Sequence, residues 1–384
     1  MPSVHCRPLM RRALLAAAAA AAAVALAAPV TASPPPVVDA SAWYLVGEDG
    51  AVLAQSNARR QRAIASITKL MTAIVVLEHT GLSDVVRVSP RAAGVGESTV
   101  YLRGGEELTV ATLLRAMLVR SANDAAEALA LNVGKGSTSR FVALMNTKGE
   151  ELGLVDTNFE NPHGLDARGH VSSARDTTKL VRYALGVPFI RDALSRSTVS
   201  LPGGRVFPTT DDLLVSWPAL VGGKTGHTRD AGWSQAAAAN AGGVTVYGSV
   251  LGSDTRSSRN GALQDLLTYG LSQYRRTTAI DASRVYAEAE TGYGGPSVKL
   301  VAPRAVVRTV RLGTLLVERI VASSSVALPV QEGQRLGRVE VYAGNRLVAS
   351  SNLVAAAAAA EPGLMSKARW YATRTVKNLW EVIT

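Results

Sequence analysis

The sequence is poor in cysteine, in lysine and in aromatic residues. Its 384 residues include one cysteine, Cys6, which lies in an N-terminal segment that we expect to be removed. A disulfide framework and a cysteine-based zinc site are therefore excluded from the mature protein. The chain also lacks an H-E-x-x-H motif and a G-x-S-x-G motif, which argues against a zinc peptidase and an α/β-hydrolase triad. We expect no cofactor and no metal ion.

Acidic residues are in the minority, with 30 Asp and Glu against 41 Lys and Arg and a formal net charge of +11. This excess indicates an anionic surface nearby, although we expect no nucleic acid partner. Residues 1–32 combine three arginines, an alanine-rich apolar stretch and a small-residue cleavage site, which is typical of a secretory signal peptide. The apolar stretch is short and weakly apolar for a membrane span. We therefore expect an exported protein at the outer face of the cytoplasmic membrane or in the cell wall space.

The hydrophobic pattern predicts two folded parts. Strands are expected at 42–46, 51–54 and 244–251, and helices at 66–79, 109–120, 122–133, 139–152, 177–185 and 260–274. This mixture predicts an α/β domain over residues 33–277. Short β-branched segments separated by Gly or Pro follow and predict a small all-β domain over residues 278–354.

The last part of the chain, residues 355–384, reads as a linker followed by an amphipathic helix. An apolar stripe runs through residues 364–384, and four cations lie mostly off that stripe: Lys367, Arg369, Arg374 and Lys377. Burying these cations in a bilayer would cost about 2.5–3.5 kcal/mol each, so we do not expect a membrane span. We expect residues 364–384 to lie on the membrane surface, with packing against the protein as the alternative.

Only eight of the 41 basic residues are lysines, and one of them has a serine three residues before it. Ser66 and Lys69 lie near the start of a predicted helix, where residues three apart share a face. A desolvated lysine can lose its proton and activate a serine nucleophile, and free N–H groups at the helix start can stabilise an oxyanion. Taken alone, the pair is also consistent with a helix-capping Ser66 and a solvated Lys69.

Two further motifs follow in the chain. Lys224-Thr225-Gly226 is its one K-T-G, and Ser121-Ala122-Asn123 is the S-x-N that lies between the other two motifs. In isolation, the K-T-G is also consistent with a surface turn. The ordered set S-x-x-K, S-x-N and K-T-G is far more specific than any one member, and it resembles that of the serine penicillin-recognising enzymes.

The surrounding residues are similar to one branch of these enzymes, the low-molecular-mass D-alanyl-D-alanine carboxypeptidases. The similarity extends from about residue 40 to the C-terminus, and its clearest segments are 64–73, 121–126, 157–176 and 224–228, with looser similarity over 298–354. The sequence departs from the family at Thr209–Leu214, where T-T-D-D-L-L replaces the usual Asn residues before Leu-Leu. Ser172-Ser173-Ala174 also replaces the more usual Ser-Thr-Ala.

The resemblance implies a fold and a set of catalytic residues. The expected fold class is α/β, with a β-lactamase/transpeptidase-like domain whose mainly antiparallel sheet is flanked by helices, then a small all-β domain and a C-terminal helix. Ser66 would be the nucleophile and Lys69 its base. Ser121 and Asn123 would relay protons and position the peptide, and Lys224 would supply positive potential.

The resemblance also implies a substrate site made of Lys224, Thr225, Gly226, His227 and Arg259. The backbone N–H groups of Ser66 and His227 would form an oxyanion hole, and Thr225 and Arg259 would receive a carboxylate. The implied reaction removes the terminal D-alanine from peptidoglycan stem peptides ending in D-Ala-D-Ala. β-Lactams would acylate the same serine.

Two alternatives stay open at this point. A class A β-lactamase needs an E-x-x-L-N motif, and the nearest match, Glu151 to Leu154, is followed by Val155 in place of Asn. A catalytically silent wall-binding protein of the same fold is disfavoured because the motif residues are intact. His163, Asp166 and His170 lie close in sequence, but we do not expect them to bind a metal ion.

Overall fold

The computed structural model describes residues 34–383, so the expected signal peptide lies outside the described residues. The first domain is built on a five-stranded antiparallel sheet with the strand order β2-β1-β9-β8-β7. Its strands are β1 (Ala42–Gly47), β2 (Val52–Ser56), β7 (Leu220–Thr228), β8 (Gly232–Ala241) and β9 (Val244–Ser253). The short strands β3 (Val85–Arg87) with β4 (Glu107–Thr109), and β5 (Thr198–Leu201) with β6 (Arg205–Pro208), form two-stranded ribbons.

Helices cover both faces of this sheet. They are α1 (Lys69–His79), α2 (Pro90–Ala93), α3 (Val110–Val119), α4 (Asn123–Val133), α5 (Thr138–Glu151), α6 (Ala174–Gly186), α7 (Pro188–Leu194), α8 (Asp212–Ser216) and α9 (Arg256–Ser272). A 3₁₀ turn, Ala65–Thr68, precedes α1.

Two hydrophobic cores form because successive strand residues point to opposite faces of the sheet. In β1, Tyr44 and Val46 belong to the core shared with α1, α3 and α4, whereas Leu45 belongs to the core shared with α9. The alanines of β8 alternate in the same way. The sheet is therefore the middle layer of three, which suits a domain that has no disulfide to hold it together.

The second domain is all-β. Its six-stranded sheet has the order β14-β16-β17-β12-β11-β15, and a two-stranded pair β10-β13 accompanies it. The strands are β10 (Tyr274–Ile280), β11 (Val285–Thr291), β12 (Val298–Val301), β13 (Val306–Arg311), β14 (Leu316–Ala322), β15 (Ser325–Val326), β16 (Arg335–Ala343) and β17 (Arg346–Ala355). Val339, Val341 and Leu353 are among the residues of its own core.

The chain ends in α10 (Leu364–Ile383), whose first turns contact the second domain. The Trp370 ring lies 5.6 Å from that of Tyr293, and the Lys367 ammonium lies 5.1 Å from the Tyr293 ring centroid. Leu364 and Met365 are exposed at the start of the helix. Within residues 34–383, no helix combines the length and apolarity needed to cross a membrane.

The predicted elements differ from the structure in several places, and the short elements β3 to β6, α2, α7 and α8 were not predicted. The predicted helix at 66–79 is divided into a 3₁₀ turn and α1, and α9 begins at Arg256 and ends before Tyr274, which opens β10. β10 thus runs across the expected boundary after residue 277. β7 and β8 were not predicted either, because β7 is interrupted by three glycines and β8 is rich in alanine, and both residue types are depleted in strands.

Candidate active site

The 3₁₀ turn before α1 places Ser66 one turn ahead of Lys69, with the lysine as the first residue of the α-helix. Lys69 Nζ lies 2.7 Å from Ser66 Oγ. The turn is held in a strained form, since Ala65 has a φ of +47°. Gly164 packs directly against it, and a Cβ at Gly164 would approach the Ala65 carbonyl oxygen to 1.9 Å. The serine is therefore presented by backbone that its neighbours hold in place.

The Lys69 amine has two other close contacts, both with acceptors. Its Nζ lies 2.7 Å from Asn123 Oδ1 and 2.7 Å from the carbonyl oxygen of His163. A neutral amine has two N–H donors and one lone pair, so it can donate to both acceptors while its lone pair accepts the Ser66 hydroxyl proton. An ammonium could also donate to all three oxygens, so the contacts allow an uncharged lysine that acts as a base toward Ser66 but do not select it by themselves.

Burial favours the same protonation state. Lys69 is 0% exposed. Desolvation lowers its pKa well below the usual value, and the charge of nearby Lys224 lowers the pKa further. Asp124 and Glu97 act weakly in the opposite direction. The solvated Lys69 considered from the sequence alone is wrong, because α1 begins inside the domain.

The S-x-N motif connects α3 to α4. Ser121 has a φ of +67°, which is uncommon for a residue with a side chain, and Asn123 opens α4. Asn123 Nδ2 donates to the Gly96 carbonyl oxygen over 2.9 Å, which leaves Oδ1 directed at Lys69. Ser121 Oγ accepts from Lys224 Nζ at 3.0 Å. The motif therefore contacts both lysines.

Lys224 lies on β7, one of the two edge strands of the sheet, and is 1% exposed. Besides Ser121, its ammonium donates to the Thr225 carbonyl oxygen at 2.9 Å. Burial lowers the pKa of Lys224 to about 7, with Asp211 raising it and Arg259 lowering it. The surface turn considered for K-T-G is wrong: the motif is a buried strand segment.

Gly226 brings this strand against the nucleophile turn. A Cβ at this position would lie 2.8 Å from the Ile64 carbonyl oxygen and 3.0 Å from the Ser66 amide nitrogen. Only a residue without a side chain permits that approach. Because β7 is an edge strand, its outer backbone groups have no strand partner there and face the turn. The arrangement can offer N–H groups from both segments to one oxyanion.

Thr225 has a hydroxyl partner that the sequence did not identify. Its Oγ1 lies 2.8 Å from Thr210 Oγ1. Thr210 belongs to the Thr209–Leu214 segment, which departs from the family pattern. That departure drew attention to the segment, but it did not predict the contact with Thr225. The next residue, Asp211, is buried, accepts from Gln235 Nε2 at 2.8 Å and caps α8. Desolvation raises the pKa of Asp211.

Arg259 lies beside the same strand, but its guanidinium is engaged. It is 1% exposed, donates to Asn260 Oδ1 and lies 3.5 Å from Asp212 Oδ2. The Trp233 ring stands between it and the K-T-G strand: His227 stacks on Trp233 at 4.1 Å, and the Arg259 guanidinium lies 5.8 Å from the ring centroid. Trp233 had no motif to mark it in the sequence.

The histidines of the 157–170 loop have structural partners. His170 Nδ1 accepts from the Glu160 amide at 3.0 Å, and its Nε2 lies 2.7 Å from Thr68 Oγ1. Burial lowers the pKa of His163 to about 3 and that of His170 to about 4. Asp166 accepts from Thr228 Oγ1 at 2.6 Å. Among residues 34–383, no group of three or more His, Cys, Asp and Glu is arranged to hold a metal ion.

The nine residues singled out from the sequence thus lie in one region of the first domain. Ser66, Lys69 and Asn123 form one hydrogen-bonded group, and Ser121 and Lys224 form a second. Gly226 touches the Ser66 turn, and Trp233 joins His227 to Arg259. The backbone carbonyl of His163 was not predicted, since no sequence pattern marks a main-chain acceptor.

Comparisons with known proteins agree with this geometry. The sequence model described as D-alanyl-D-alanine carboxypeptidase matches residues 28–255, and that of the penicillin-binding protein 5 C-terminal domain matches residues 274–361. The chain is 30% identical to D-alanyl-D-alanine carboxypeptidase DacF of Bacillus subtilis, over 82% of this chain and 84% of that protein. It is 31% identical to DacC of Escherichia coli, over 83% of each.

A solved structure gives the same result. The crystal structure of penicillin-binding protein 5 from Haemophilus influenzae superposes with a TM-score of 0.62 at 28% identity, covering 86% of this chain and all of that one. The expected fold class, an α/β transpeptidase-like domain followed by an all-β domain and a C-terminal helix, is confirmed. The chain belongs to the D-alanyl-D-alanine carboxypeptidase family of serine hydrolases.

Proposed function

We propose that this protein removes the terminal D-alanine from peptidoglycan stem peptides ending in D-Ala-D-Ala, through an acyl-enzyme on Ser66. The observation that carries the proposal is the 2.7 Å contact between Ser66 Oγ and the fully buried Lys69 amine, whose other two contacts are both acceptors. The names of the related carboxypeptidases support the choice of substrate.

In acylation, Ser66 Oγ attacks the carbonyl carbon between the two D-alanines, and its proton passes to Lys69 Nζ. The carbonyl oxygen becomes an oxyanion held by the backbone N–H groups of Ser66 and His227. When the C–N bond breaks, the Ser121 hydroxyl gives its proton to the leaving amine, and Lys224 replaces that proton through its 3.0 Å contact. D-Alanine leaves, and an ester remains on Ser66.

After D-alanine leaves, Lys69 carries the proton taken from Ser66, and Lys224 lacks the proton that it gave to Ser121. Transfer of a proton from Lys69 to Lys224 makes Lys69 neutral again. In deacylation, a water molecule attacks the ester carbonyl carbon and gives its proton to Lys69 Nζ. The ester C–O bond then breaks, Ser66 Oγ regains a proton from Lys69, and the shortened peptide leaves as a carboxylic acid. A β-lactam would enter the same route, with its ring amide in place of the peptide bond.

The substrate carboxylate is assigned to Thr225 with its partner Thr210, supported from behind by the buried Arg259. Hydroxyl donors suit a carboxylate, and a buried guanidinium adds positive potential where little water screens it. Because Arg259 is 1% exposed and already faces Asp212 and Asn260, we assign it an electrostatic contribution beside the direct contact of Thr225.

Mass spectrometry of a pentapeptide ending in D-Ala-D-Ala tests the function. We expect loss of one D-alanine with the wild type and no loss with Ser66→Ala. Fluorescent penicillin should label the wild type covalently and leave Ser66→Ala unlabelled. Rapid turnover of penicillin would favour the β-lactamase alternative, and absence of both labelling and cleavage would favour the silent wall-binding alternative.

The two lysines predict a bell-shaped pH dependence of kcat/KM. Lys69 must be neutral, so activity rises with pH through its lowered pKa. Lys224 must stay protonated, so activity falls as pH rises through a pKa of about 7. The two limbs of the pH profile report apparent pKa values of the coupled lysine pair. The charges that act on this pair are those of Asp124, Glu97, Asp211 and Arg259. Acylation by penicillin measured from pH 4 to 10 checks this.

Lys69→Arg is the matched variant for that profile. It keeps a long basic side chain, but a guanidinium cannot lose its proton at these pH values, so acylation should fall by about 100-fold or more at every pH. Circular dichroism and thermal unfolding establish whether the variant is folded. A folded Lys69→Arg with near-normal acylation would contradict the role of Lys69 as base.

Gly226→Ala should damage the oxyanion site. The added methyl group must push β7 away from the Ser66 amide, and we expect acylation to slow by about 100-fold, as on loss of one oxyanion donor. Gly261→Ala in α9 is the control: nothing lies within 4 Å of its Cβ position, and Ala stabilises a helix by about 1 kcal/mol relative to Gly. Equal acylation rates in the two variants would refute this account of Gly226.

We propose further that the protein is exported and associates with the membrane surface through residues 364–384. The basic, apolar and small-residue pattern of residues 1–32 supports export. The helix α10 carries cations and exposed Leu364 and Met365, which supports contact with an anionic lipid surface. In its second turn, Trp370 packs on Tyr293 of the second domain.

Deletion of residues 364–384 should move the protein from the membrane fraction to the soluble fraction and leave D-Ala-D-Ala cleavage intact. The reason is that, among the described residues, the main contact of α10 is with the second domain, where Trp370 packs on Tyr293. Cell fractionation with an activity assay on both fractions measures the outcome. Unchanged fractionation would refute the anchor.

A further inference from the structure

The second domain has an open cleft, with a volume of about 860 Å³, that no part of the proposed reaction uses. Its floor is the outer face of the β16–β17 hairpin, and its wall is β13 with the turn before it. The other face of that hairpin carries Val339, Val341 and Leu353, which are buried in the domain core. The cleft is therefore a surface feature built on a rigid sheet.

The residues lining this cleft are strongly basic. Four arginines line it, Arg304, Arg308, Arg335 and Arg338, against one carboxylate, that of Glu340, so the described lining has a net charge of 4 − 1 = +3. Glu340 is also occupied: Arg338 Nε lies 3.1 Å from its Oε1, and the Tyr342 hydroxyl donates to its Oε2 at 2.9 Å. Little negative charge remains to compensate the other arginines.

The contacts inside the cleft leave cations and neutral donors open to solvent. Arg308 ties the wall to the floor, because its Nε donates to the Val348 carbonyl oxygen at 2.8 Å. Arg304 and Arg335 are exposed and have no ion pair with any carboxylate of residues 34–383. On the floor, Asn352 lies directly across from Arg338, and Ser350 lies across from Glu340.

We propose that this basic cleft binds a linear phosphate-bearing polymer. Arginine forks bind phosphate through paired hydrogen bonds, and a phosphate accepts from more donors at once than a carboxylate does. The side chain of Arg338 is 51% exposed, so a single phosphate would be held weakly here, whereas successive phosphates on one chain add their contributions. A flat bilayer does not fit into a concave cleft.

The basic residues continue beyond the cleft along β13. Arg308 also lines a neighbouring cleft of about 890 Å³ together with Arg311 and Arg346. There Glu48 and Asp49 of the first domain supply opposing charge. Because the arginines continue from one cleft into the next, an elongated ligand fits them better than a compact anion does. The row of arginines ends at Glu48 and Asp49.

The experiment uses the full chain and an end-labelled linear polyphosphate, with binding followed by fluorescence anisotropy over a range of salt concentrations. The double variant Arg304→Gln with Arg335→Gln should bind about tenfold more weakly or worse. Its slope of log affinity against log salt should be shallower by about 1.5, since each lost phosphate contact removes about 0.7–0.9. Both side chains are exposed, so the fold should persist.

The matched control is Arg87→Gln with Arg140→Gln. These two arginines of the first domain are exposed, have no ion pair within residues 34–383, and do not line the cleft. The control makes the same change in net charge and should leave affinity and slope unchanged. Thermal unfolding of both double variants, and the single variant Arg304→Gln, separate a lost contact from a lost fold.

Four results would overturn the proposal. The wild type fails to bind polyphosphate, or the control loses as much affinity as the cleft variant. Poly-glutamate of similar length binds equally well, which would point to carboxylates instead. Vesicles of phosphatidylglycerol lose binding to the cleft variant as fully as polyphosphate does, which would assign the cleft to lipid headgroups. None of these four results bears on D-Ala-D-Ala cleavage, so the binding proposal can be refuted while the proposed enzymatic function stands, and the reverse.

Discussion

The burial of one amine is the constraint on which the active site depends. Lys69 is enclosed by the Ser66 turn, Asn123 at the start of α4 and the His163 carbonyl oxygen. A lysine in water is charged at neutral pH, and a charged lysine has no lone pair with which to accept a proton. Enclosure by three separate chain segments lowers its pKa, so the hydrophobic core that surrounds α1 also favours the uncharged form that the proposed base requires.

The same enclosure accounts for the strained backbone around the site. Ala65 and Ser121 both have positive φ angles, and each presents a functional side chain or turn at a junction between elements. Such conformations persist only where surrounding packing holds them. Gly164 against Ala65 and Gly226 against Ser66 supply that packing by bringing backbone into direct contact. In a protein without disulfides, the two cores on either side of the sheet provide the rigidity.

The positive charge of the chain serves more than one purpose. Inside the first domain, Lys224 and Arg259 are buried beside the nucleophile and supply local potential. In the second domain, arginines are exposed and gather on one side of a sheet, in the basic cleft. The C-terminal helix α10 carries a third group of cations. Net charge alone indicated only an anionic surrounding. The structure separates the buried cations near the site from the two exposed groups, for which we propose polymer and lipid as partners.

The sequence by itself predicted the chemistry: three short motifs in order pointed to Ser66, Lys69, Ser121, Asn123 and Lys224, and to the family that the comparisons show. It also determined most helices and the β-rich C-terminal part, because periodicity and β-branched residues are local properties. The structure alone decided that K-T-G lies in a buried edge strand, that Thr210 pairs with Thr225, and that Trp233 contacts both His227 and Arg259. These features arise from contacts between residues far apart in the chain, and burial, which sets the protonation of both lysines, exists only after the chain has folded.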